Sequence, residues 1–550
     1  MLKMNMKKLC FFPFFFSIII FLTLLSHEKS IFLEFPLMEL SSFFFSLGLI
    51  LDPYSLVFTF TVGVIFSSIF LYSFYYLEGE VNMKRFLILL SLFVFSMLIL
   101  ILSGNFFSSL IGWDGLGVTS VLLIFFFYSS SSLKAGTLTF LMNRIGDCFF
   151  ILCFFFVCVV SSNVTLTSGS LFSNSALPIL IILMSITKSA QLPFSSWLPA
   201  AMEAPTPVSA LVHSSTLVTA GIYMLFRYSL LWELSNSAKK FLCVLAISTL
   251  FLASISGVVE IDLKKIIALS TLSQLGFIMF CLSVGMAEEG FFHLIMHAFF
   301  KALLFMAAGY VIHSSSLWQD IRILHVSYSP NIFMIMVFSL LALSGLPFLS
   351  GFYSKDKIVD VFQSHSFSLS LFVLMMVSLL MTIFYSFRVI FYLSSAKISW
   401  SSMSDDTSSM VVTMKVLLIL SCIGGSMMSW VLFLPEYLFN NSKILLLFAL
   451  FLSSMGVWFW SSKSFNMIFS SLLFLSMFNQ IYSSAFFKIS HKYMMCSEVS
   501  TLLGNFNIKL TSYLLESSSK INNTSKNFLG NSEFLFICFA CLVTLVVFFS

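Results

Sequence analysis

Residues 86–102 read FLILLSLFVFSMLILIL, a continuous apolar run without a charged residue. A helix needs roughly 20 mainly apolar residues to cross the hydrocarbon core of a bilayer, and this run approaches that length. Comparable runs recur along the whole chain, and from them we predict about fifteen transmembrane helices. The runs do not alternate polar and apolar residues as the strands of a membrane barrel do, so helices are needed to satisfy the backbone hydrogen bonds. The sequence therefore predicts an all-α, polytopic membrane helix bundle.

The composition excludes a soluble globular protein. Hydrophobic residues make up 59% of the 550 residues and charged residues only 9%, whereas a typical soluble domain carries about 25% charged residues. The formal net charge of +5 comes from few ionised groups. These lie at the ends of apolar runs or inside them, not on one basic face, so we predict the lipid bilayer as surroundings and no nucleic-acid partner.

The order of apolar and polar stretches divides the chain into regions. Near its C-terminal end, apolar residues alternate with Lys, Glu and Asn at near-helical spacing, which is typical of an amphipathic helix lying along a membrane surface. The predicted regions are N-terminal transmembrane helices (1–80), an antiporter-like core (81–395), additional transmembrane helices (396–490), the lateral amphipathic segment (491–533) and a C-terminal transmembrane anchor (534–550).

Two prolines interrupt apolar helices beside a charged residue. Pro193 follows Lys188, and Pro347 precedes Lys355. Proline inside a helix removes a backbone hydrogen bond, and a broken helix at membrane depth is tolerated where it is packed in protein or lines a wet cavity. Paired breaks of this kind are typical of inverted repeats around an ion path, so we predict two broken helices and an inverted-repeat core.

Asp114 and Lys188 are the first candidate site residues. Both lie in apolar sequence, where a charge at the centre of a span costs about 2.5 to 3.5 kcal/mol and needs a partner or water. If the two groups face each other about 4 Å apart, their attraction of about 4 kcal/mol is strong enough to switch the lysine between holding and releasing a proton. The alternative is that Lys188 only extends to a membrane interface.

Three titratable residues follow one another at intervals of four: His293, His297 and Lys301. This spacing places them on one stripe of one helix, where they predict a proton relay together with His213, because histidine changes charge near neutral pH. A structural hydrogen-bond network is the alternative. A zinc site is a second alternative. The stretch from His293 to His297 lacks the glutamate of the His-Glu-x-x-His motif, however, so we predict no metal.

Other charges are assigned more local roles. Lys355 and Asp356 follow the Pro347 break and predict a terminal exchange site, with a solvated helix end as the alternative. Arg144 and Asp147 are three residues apart and are expected to pair on one helix. The remaining structural or coupling charges are expected in loops or at helix ends: Glu203, Asp262 and Lys264.

Several of these residues lie in strings that are specific to one family. The strings are NRIGD (143–147), KSAQLP (188–193), MEAPTPVSALVH (202–213), DLKK (262–265), STLSQLG (270–276), HAFFKAL (297–303), LSGLPF (343–348) and GFYSKD (351–356). They occur in the same order in the subunit 5 family of the mitochondrial NADH dehydrogenase, which this chain resembles from about residue 51 to residue 388.

The resemblance implies an antiporter-like subunit at the distal end of the membrane arm of respiratory complex I, in the mitochondrial inner membrane. It implies no cofactor in this chain, with FMN, iron–sulfur clusters and ubiquinone in the rest of the complex. The implied partners are other membrane-arm subunits, especially the neighbouring antiporter-like subunit and those under the lateral segment. The implied proton path runs through Asp114 and Lys188, then His213 and His297, to Lys355.

Two alternative functions remain open. A cation/proton antiporter of the Mrp type shares these motifs without NADH chemistry, although the amphipathic tail favours the respiratory complex. A passive structural subunit that holds its neighbours through the lateral segment is the other alternative. The many ionisable residues inside apolar runs argue against it, because a scaffold has no use for charges that are costly to bury.

Overall fold

The computed structural model describes residues 30–432, except 41–42, 161–175, 234, 316–317, 323, 325–329, 365–368 and 396–406. Helices dominate this part of the chain, in agreement with the predicted all-α membrane bundle. The predicted lateral segment (491–533) and the C-terminal anchor (534–550) lie outside the described residues, as does the region 396–490 apart from 407–432.

The described chain opens with a β-hairpin, which was not foreseen when N-terminal transmembrane helices were predicted for residues 1–80. Strands β1 (Ile31–Leu40) and β2 (Phe43–Leu51) pair in antiparallel register, with Ile31 opposite Leu51. The hairpin was missed because a short apolar stretch fits a strand as well as a helix, and Pro36 together with Gly48 disfavours a continuous helix here.

Four long helices follow the hairpin: α1 (Pro53–Tyr76), α2 (Met83–Leu102), α3 (Phe106–Ile124, continued by the 3-10 turn Phe125–Phe127) and α4 (Ser130–Val160). Local signals set where they begin. Asp52 precedes α1 with proline at the first helical position, and Asn105 caps α3, its backbone N–H donating to the Ser108 hydroxyl at 3.2 Å.

The middle of the chain is broken into short pieces. The helix α5 (Ala176–Lys188) ends at Lys188, and Pro193 lies in the connection to the short helix α6 (Trp197–Ala200) and the 3-10 turn Ala201–Glu203. The next span starts as α7 (Thr206–Val208), widens into the π-helical segment Ser209–Thr216 and continues as α8 (Leu217–Arg227), followed by the short α9 (Ser229–Trp232). A π-helical segment of this kind often marks a functional site.

The remaining described helices are α10 (Asn236–Val259), α11 (Leu263–Val284), α12 (Ala287–Ser314), α13 (Pro330–Ser344), α14 (Ser350–Ser364), α15 (Leu369–Ser395) and α16 (Thr407–Leu432). Pro347 lies in the break between α13 and α14. Gly285 ends α11 in the left-handed conformation (φ 94°), which glycine adopts without a steric penalty.

Ten helices of the described part are long and apolar enough to cross a membrane. Two shorter apolar helices, Leu177–Lys188 and Asn331–Ser344, belong to the broken segments. The span Thr206–Arg227, together with α11 and α12, is buried on every side, whereas α2, α3 and α4 expose half or more of their most apolar stretch. The buried spans therefore form the centre of the bundle, and they are the ones that carry the predicted histidines.

Small residues let neighbouring helices approach closely. A methyl group added at Gly112 of α3 would come within 2.7 Å of the backbone nitrogen of Leu100 on α2, and one at Gly276 of α11 within 3.0 Å of that of Leu250 on α10. Membrane helices associate largely through such packing, because lipid supplies no hydrophobic driving force between them. The two glycines thus set the spacing of these helix pairs.

Candidate functional site

The helix α12 carries a polar stripe through the centre of the bundle. His293, His297 and Lys301 are each fully buried, and their spacing of four residues places them on one side of the helix. In lipid such a stripe would be very costly, so the surrounding helices must supply its partners.

His293 is held by both neighbouring elements. One ring nitrogen, Nδ1, lies 2.8 Å from the Ser354 hydroxyl of α14, and the other, Nε2, lies 3.2 Å from the Gln274 side-chain oxygen of α11. Because the Gln274 oxygen accepts, Nε2 carries the proton in this arrangement, and the Nδ1 nitrogen can accept from Ser354. The contacts orient the imidazole between the second helix break and the polar face of α11.

Lys301 and Tyr385 meet on the same face of α11. The Lys301 ammonium donates a hydrogen bond to the Ser270 hydroxyl, and the buried Tyr385 hydroxyl of α15 lies 3.4 Å from the Ser273 hydroxyl. Tyr385 also interacts with Ser270 and Gln274. It therefore connects the surroundings of Lys301 with those of His293. Sequence reasoning missed this residue, because one tyrosine in an apolar run carries no distinguishing signal.

His213 and His297 differ from His293 in having no hydrogen-bond partner among the described residues. Both are buried, and neither ring nitrogen of either side chain is paired in this part of the chain. His213 faces the Trp197 ring edge-on at 6.2 Å, and His297 faces Phe300 at 5.6 Å. Buried polar groups are nearly always hydrogen-bonded, if not to protein then to water. The two imidazoles thus mark places where water is expected to bind.

Lys188 is the fully buried last residue of α5. Its ammonium group donates to the backbone carbonyl oxygen of Trp113 at 2.5 Å and lies 3.9 Å from the centre of the Trp113 ring. A cation over an indole face is stabilised by about 0.5 to 2 kcal/mol, with the larger value applying where water is excluded. Lys188 therefore does not extend to an interface.

The direct contact predicted between Asp114 and Lys188 is not formed. No carboxylate of the described residues lies within 4 Å of the Lys188 nitrogen. Successive residues of a helix point about 100° apart, and it is Trp113 that faces Lys188 while Asp114 is partly exposed. Asp114 acts on Lys188 at longer range, and Asp147 acts on it more strongly. The functional role of the charge pair stays a prediction.

Arg144 and Asp147 pair within α4, as expected from their spacing, with 2.9 Å between the guanidinium and carboxylate. The Asp147 carboxylate is nearly buried, whereas the Arg144 side chain is almost half exposed. The Asp147 carboxylate interacts with the Trp113 side chain and, through its charge, with Lys188. The pair thus places a carboxylate on the Trp113 and Lys188 side of the bundle.

Lys355 lies in α14, directly after the second break. It is nearly buried, and its ammonium donates to the backbone carbonyl of Leu343, near the end of α13. Ser354, the preceding residue, binds His293, so the second broken helix and the stripe on α12 share one polar region. The adjacent Asp356 is also nearly buried. These positions disagree with the alternative of a solvated helix end.

The remaining predicted charges lie near the start of α11. Glu203 is exposed, and Asp262 precedes the helix and pairs with Lys265 at 2.5 Å, in agreement with helix-end charges. Lys264 differs, because it is nearly buried and its ammonium donates to the Ala204 carbonyl at 3.3 Å. It therefore joins the buried lysines of the interior and does not project from a loop.

Two family models match the chain. Residues 103–384 match the model described as NADH:quinone oxidoreductase/Mrp antiporter, TM, and residues 37–87 match the one described as NADH-Ubiquinone oxidoreductase (complex I), chain 5 N-terminus. The chain is also 42% identical over 425 residues to NADH-ubiquinone oxidoreductase chain 5 of Aedes aegypti, which covers 74% of this chain and 73% of the relative. The chain belongs to the NADH-ubiquinone oxidoreductase chain 5 family.

Chain 5 relatives come from distant animals. The protein of Lumbricus terrestris is 39% identical over 443 residues, which covers 78% of this chain and 76% of the relative. Two solved structures have a similar fold: a chain of the archaeal membrane-bound sulfane sulfur reductase (TM-score 0.66, 18% identity, 76% of this chain and 89% of that chain) and one of the Mrp complex of a Dietzia species (TM-score 0.59, 23% identity, 85% and 59%). The chain 5 member described here is thus a multi-pass membrane protein with an antiporter-like fold.

Proposed function

We propose that this chain moves protons across the mitochondrial inner membrane as a membrane-arm subunit of NADH:ubiquinone oxidoreductase. The observation that carries the proposal is the set of fully or nearly buried titratable residues in the centre of the bundle, which includes two imidazoles that have no hydrogen-bond partner among the described residues. Such groups are expensive inside a membrane and are typical of proton relays. Because the chain belongs to the NADH-ubiquinone oxidoreductase chain 5 family, we expect the relay to work within that complex.

The buried lysines are suited to alternate between two protonation states. Lys188, Lys301 and Lys355 each donate to a neutral carbonyl or hydroxyl, and none has a carboxylate within 4 Å in the described part of the chain. Without a close counter-charge, the charged form of a buried lysine is weakly held, so a modest change in a distant charge can release its proton. Asp114 and Asp147 are placed to exert such a change on Lys188.

The order of groups suggests a path. Lys188 would exchange protons with His213. From there, His297 and Lys301 would carry them along the centre. Lys355 and Asp356 would form the terminal exchange site. His293 is fixed between Ser354 and Gln274 and couples the centre to the second break. Arg144, Asp147 and the charges near the start of α11 would set the local field.

No redox group is proposed for this chain. The FMN, iron–sulfur clusters and ubiquinone of the reaction would lie in other subunits, and the chain would respond to that chemistry through its neighbours. We propose as partners the adjacent antiporter-like subunit and the subunits under the lateral segment. The exposed apolar faces of α2, α3 and α4 are available for lipid or for such neighbours.

The replacement of Lys301 by methionine tests the proton path. Lys301→Met keeps most of the length of the side chain and removes its charge, so the complex should assemble and its NADH-driven proton pumping should fall, measured in proteoliposomes as protons taken up per NADH oxidised. The matched control is Lys134→Met on α4, where the lysine is exposed. Full pumping by Lys301→Met in an assembled complex would refute the path.

A free Mrp-type antiporter is the second candidate, because the match over residues 103–384 and the Dietzia structure include that class. Native-gel separation of gently solubilised membranes, with in-gel NADH dehydrogenase staining and peptide identification, distinguishes the two. Co-migration with a very large NADH-oxidising complex supports the respiratory subunit. Migration in a smaller assembly without NADH activity would support the antiporter.

A further inference from the structure

The chain turns sharply directly after Lys188. Lys188 is the last residue of α5, and Ala190, two residues further on, has a left-handed backbone conformation with φ 55°. A residue with a Cβ atom adopts this conformation at a cost in free energy, and it persists where the surrounding structure holds it. The Ala190 side chain is buried and has no polar group of its own. Other residues must therefore hold the turn.

One backbone hydrogen bond closes this turn. The Gln191 N–H donates to the Ile186 carbonyl at 3.1 Å, across the left-handed residue. Such a bond is common at the C-terminal ends of helices, where glycine usually supplies the left-handed residue because it has no Cβ atom. Alanine stands in that place here, so the turn is less favourable than one with glycine and depends more on further contacts.

The Gln191 side chain supplies two further contacts. Its amide nitrogen Nε2 donates to the Ser189 carbonyl at 3.2 Å, and its amide oxygen Oε1 accepts from the Thr249 hydroxyl of α10 at 2.5 Å. Because a carbonyl can only accept, the Ser189 contact decides which side of the amide faces Thr249. All three residues are buried. The residues on both sides of Ala190 are thus connected to a neighbouring helix.

The Thr249 hydroxyl has two acceptors within reach. Its oxygen also lies 2.8 Å from the Ala246 carbonyl of its own helix, so the contact to Gln191 is the shorter one. The helix α11 packs closely against this position, because a methyl group added at Gly276 would come within 2.8 Å of the Thr249 hydroxyl oxygen. Removal of the hydroxyl would therefore leave the Gln191 amide oxygen buried without this donor.

The turn matters for Lys188 because it completes the end of α5. If Ala190 returned to a negative φ, the bond between the Gln191 N–H and the Ile186 carbonyl would open. The last turn of α5 would then lose a hydrogen bond that fixes it. The Lys188 ammonium reaches the Trp113 carbonyl from this last turn, so its direction depends on the conformation of the residues that follow it.

We propose that Thr249 is a positioning residue for Lys188. Its hydroxyl, bound to Gln191, holds the left-handed turn at Ala190. The turn fixes the end of α5, from which the Lys188 ammonium binds Trp113. This rests on the proposed function, in which Lys188 exchanges protons. Thr249 carries no proton itself and acts on the path through the geometry of the turn.

The test removes the Thr249 hydroxyl and keeps the shape of the side chain, in the assembled complex. Thr249→Val should lower NADH-driven proton pumping roughly threefold to tenfold, the effect of losing one hydrogen bond. Thr249→Ser should retain most of the pumping, because it keeps the hydroxyl. The matched control is Thr61→Val on α1, a buried threonine whose hydroxyl donates to the Phe58 carbonyl of its own helix at 2.8 Å. The control should pump normally.

The variant Ala190→Gly distinguishes an effect on the turn from an effect on packing. Glycine adopts a positive φ without a steric penalty, so a turn with glycine depends less on Thr249. The loss caused by Thr249→Val should therefore shrink to less than about twofold when it is measured in the Ala190→Gly protein, since the two positions are coupled. An equal loss with alanine and with glycine would overturn the proposal, because the hydroxyl would then act on something other than the turn.

Two other results would also overturn the positioning role. One is normal pumping by Thr249→Val, and the other is an equal loss in Thr249→Val and Thr61→Val, which would indicate a general packing effect. If native gels show that Thr249→Val does not assemble, Gln191→Met decides by the same criteria, because it removes the acceptor of the same hydrogen bond.

Lys301→Met, measured alongside, separates this proposal from the proposed function. If Lys301→Met loses pumping and Thr249→Val does not, the path stands and the positioning role fails. If Lys301→Met pumps normally, the proposed function itself fails.

Discussion

Lys188 donates a 2.5 Å hydrogen bond to the backbone carbonyl of Trp113, and its ammonium group lies 3.9 Å from the centre of the same residue's ring. The ring faces a lysine that has no carboxylate within 4 Å among the described residues. Trp113 is therefore the direct partner of Lys188, the role that the sequence analysis predicted for Asp114. It holds the charged form of Lys188 less tightly than an ion pair would, because a ring quadrupole and a carbonyl are weaker partners than a carboxylate.

Replacement of Trp113 should weaken the contribution of Lys188 to proton pumping, although the lysine itself is kept. Trp113→Leu removes the ring attraction of about 0.5 to 2 kcal/mol and should lower the rate of coupled pumping, and Trp113→Phe should have the smaller effect because it keeps a π-face. Pumping in proteoliposomes gives the measurement. The control is Trp232→Phe, a buried tryptophan whose indole nitrogen binds the Leu225 carbonyl at 3.0 Å. Equal effects of Trp113→Phe and Trp232→Phe would contradict the assignment.

Tyr385 is expected to matter through its hydroxyl alone. Tyr385→Phe keeps the ring, against which Gly257 is packed, and removes the group that connects the surroundings of His293 and Lys301. We expect a complex of normal abundance on native gels with pumping reduced roughly threefold to tenfold, the effect of losing one hydrogen bond. Should Tyr385→Phe reduce abundance and pumping in proportion, the tyrosine would have a packing role only.

The ion pair between Arg227 and Asp52 should stabilise the fold. The two groups lie 2.5 Å apart with their side chains mostly buried, and they join the end of α8 to the start of α1. Loss of one partner leaves a mostly buried charge unpaired, so Arg227→Gln or Asp52→Asn should cost about 2 kcal/mol. The double variant should cost less than the sum of the two. Thermal disassembly of the complex measures this, and additive losses would show that the groups act independently.

Glu260, in the connection between α10 and α11, should give a pH dependence. Burial raises the pKa of its carboxyl above the usual 4.5, and the negative charge of Asp262 raises this pKa further. The positive charges of Lys265 and Arg388 lower it in part. With the folded-state pKa raised, its contribution to stability is fully present below pH 4.5 and is lost as the pH rises through the folded-state value. Glu260→Gln should therefore raise thermal stability at neutral pH and flatten its change with pH. Identical pH profiles for both proteins would disprove this.

Much of the fold was determined by the sequence. Long uncharged runs such as residues 86–102 can satisfy their backbone in a membrane only as helices, and Pro193 and Pro347 lie in the breaks of two of them. The spacing of His293, His297 and Lys301 determined that they share one side of α12, because helical periodicity is a local property. The hairpin before Asp52 was not predicted, since short apolar stretches do not distinguish strand from helix.

Only the tertiary structure decided which partner each charge has. Trp113 and not Asp114 contacts Lys188, and Tyr385 joins the polar face of α11. These contacts join residues far apart in the chain, and they depend on the rotation of each helix about its own axis. Helix packing sets that rotation, because apolar runs that are hydrophobic all round carry no stripe from which it could be read.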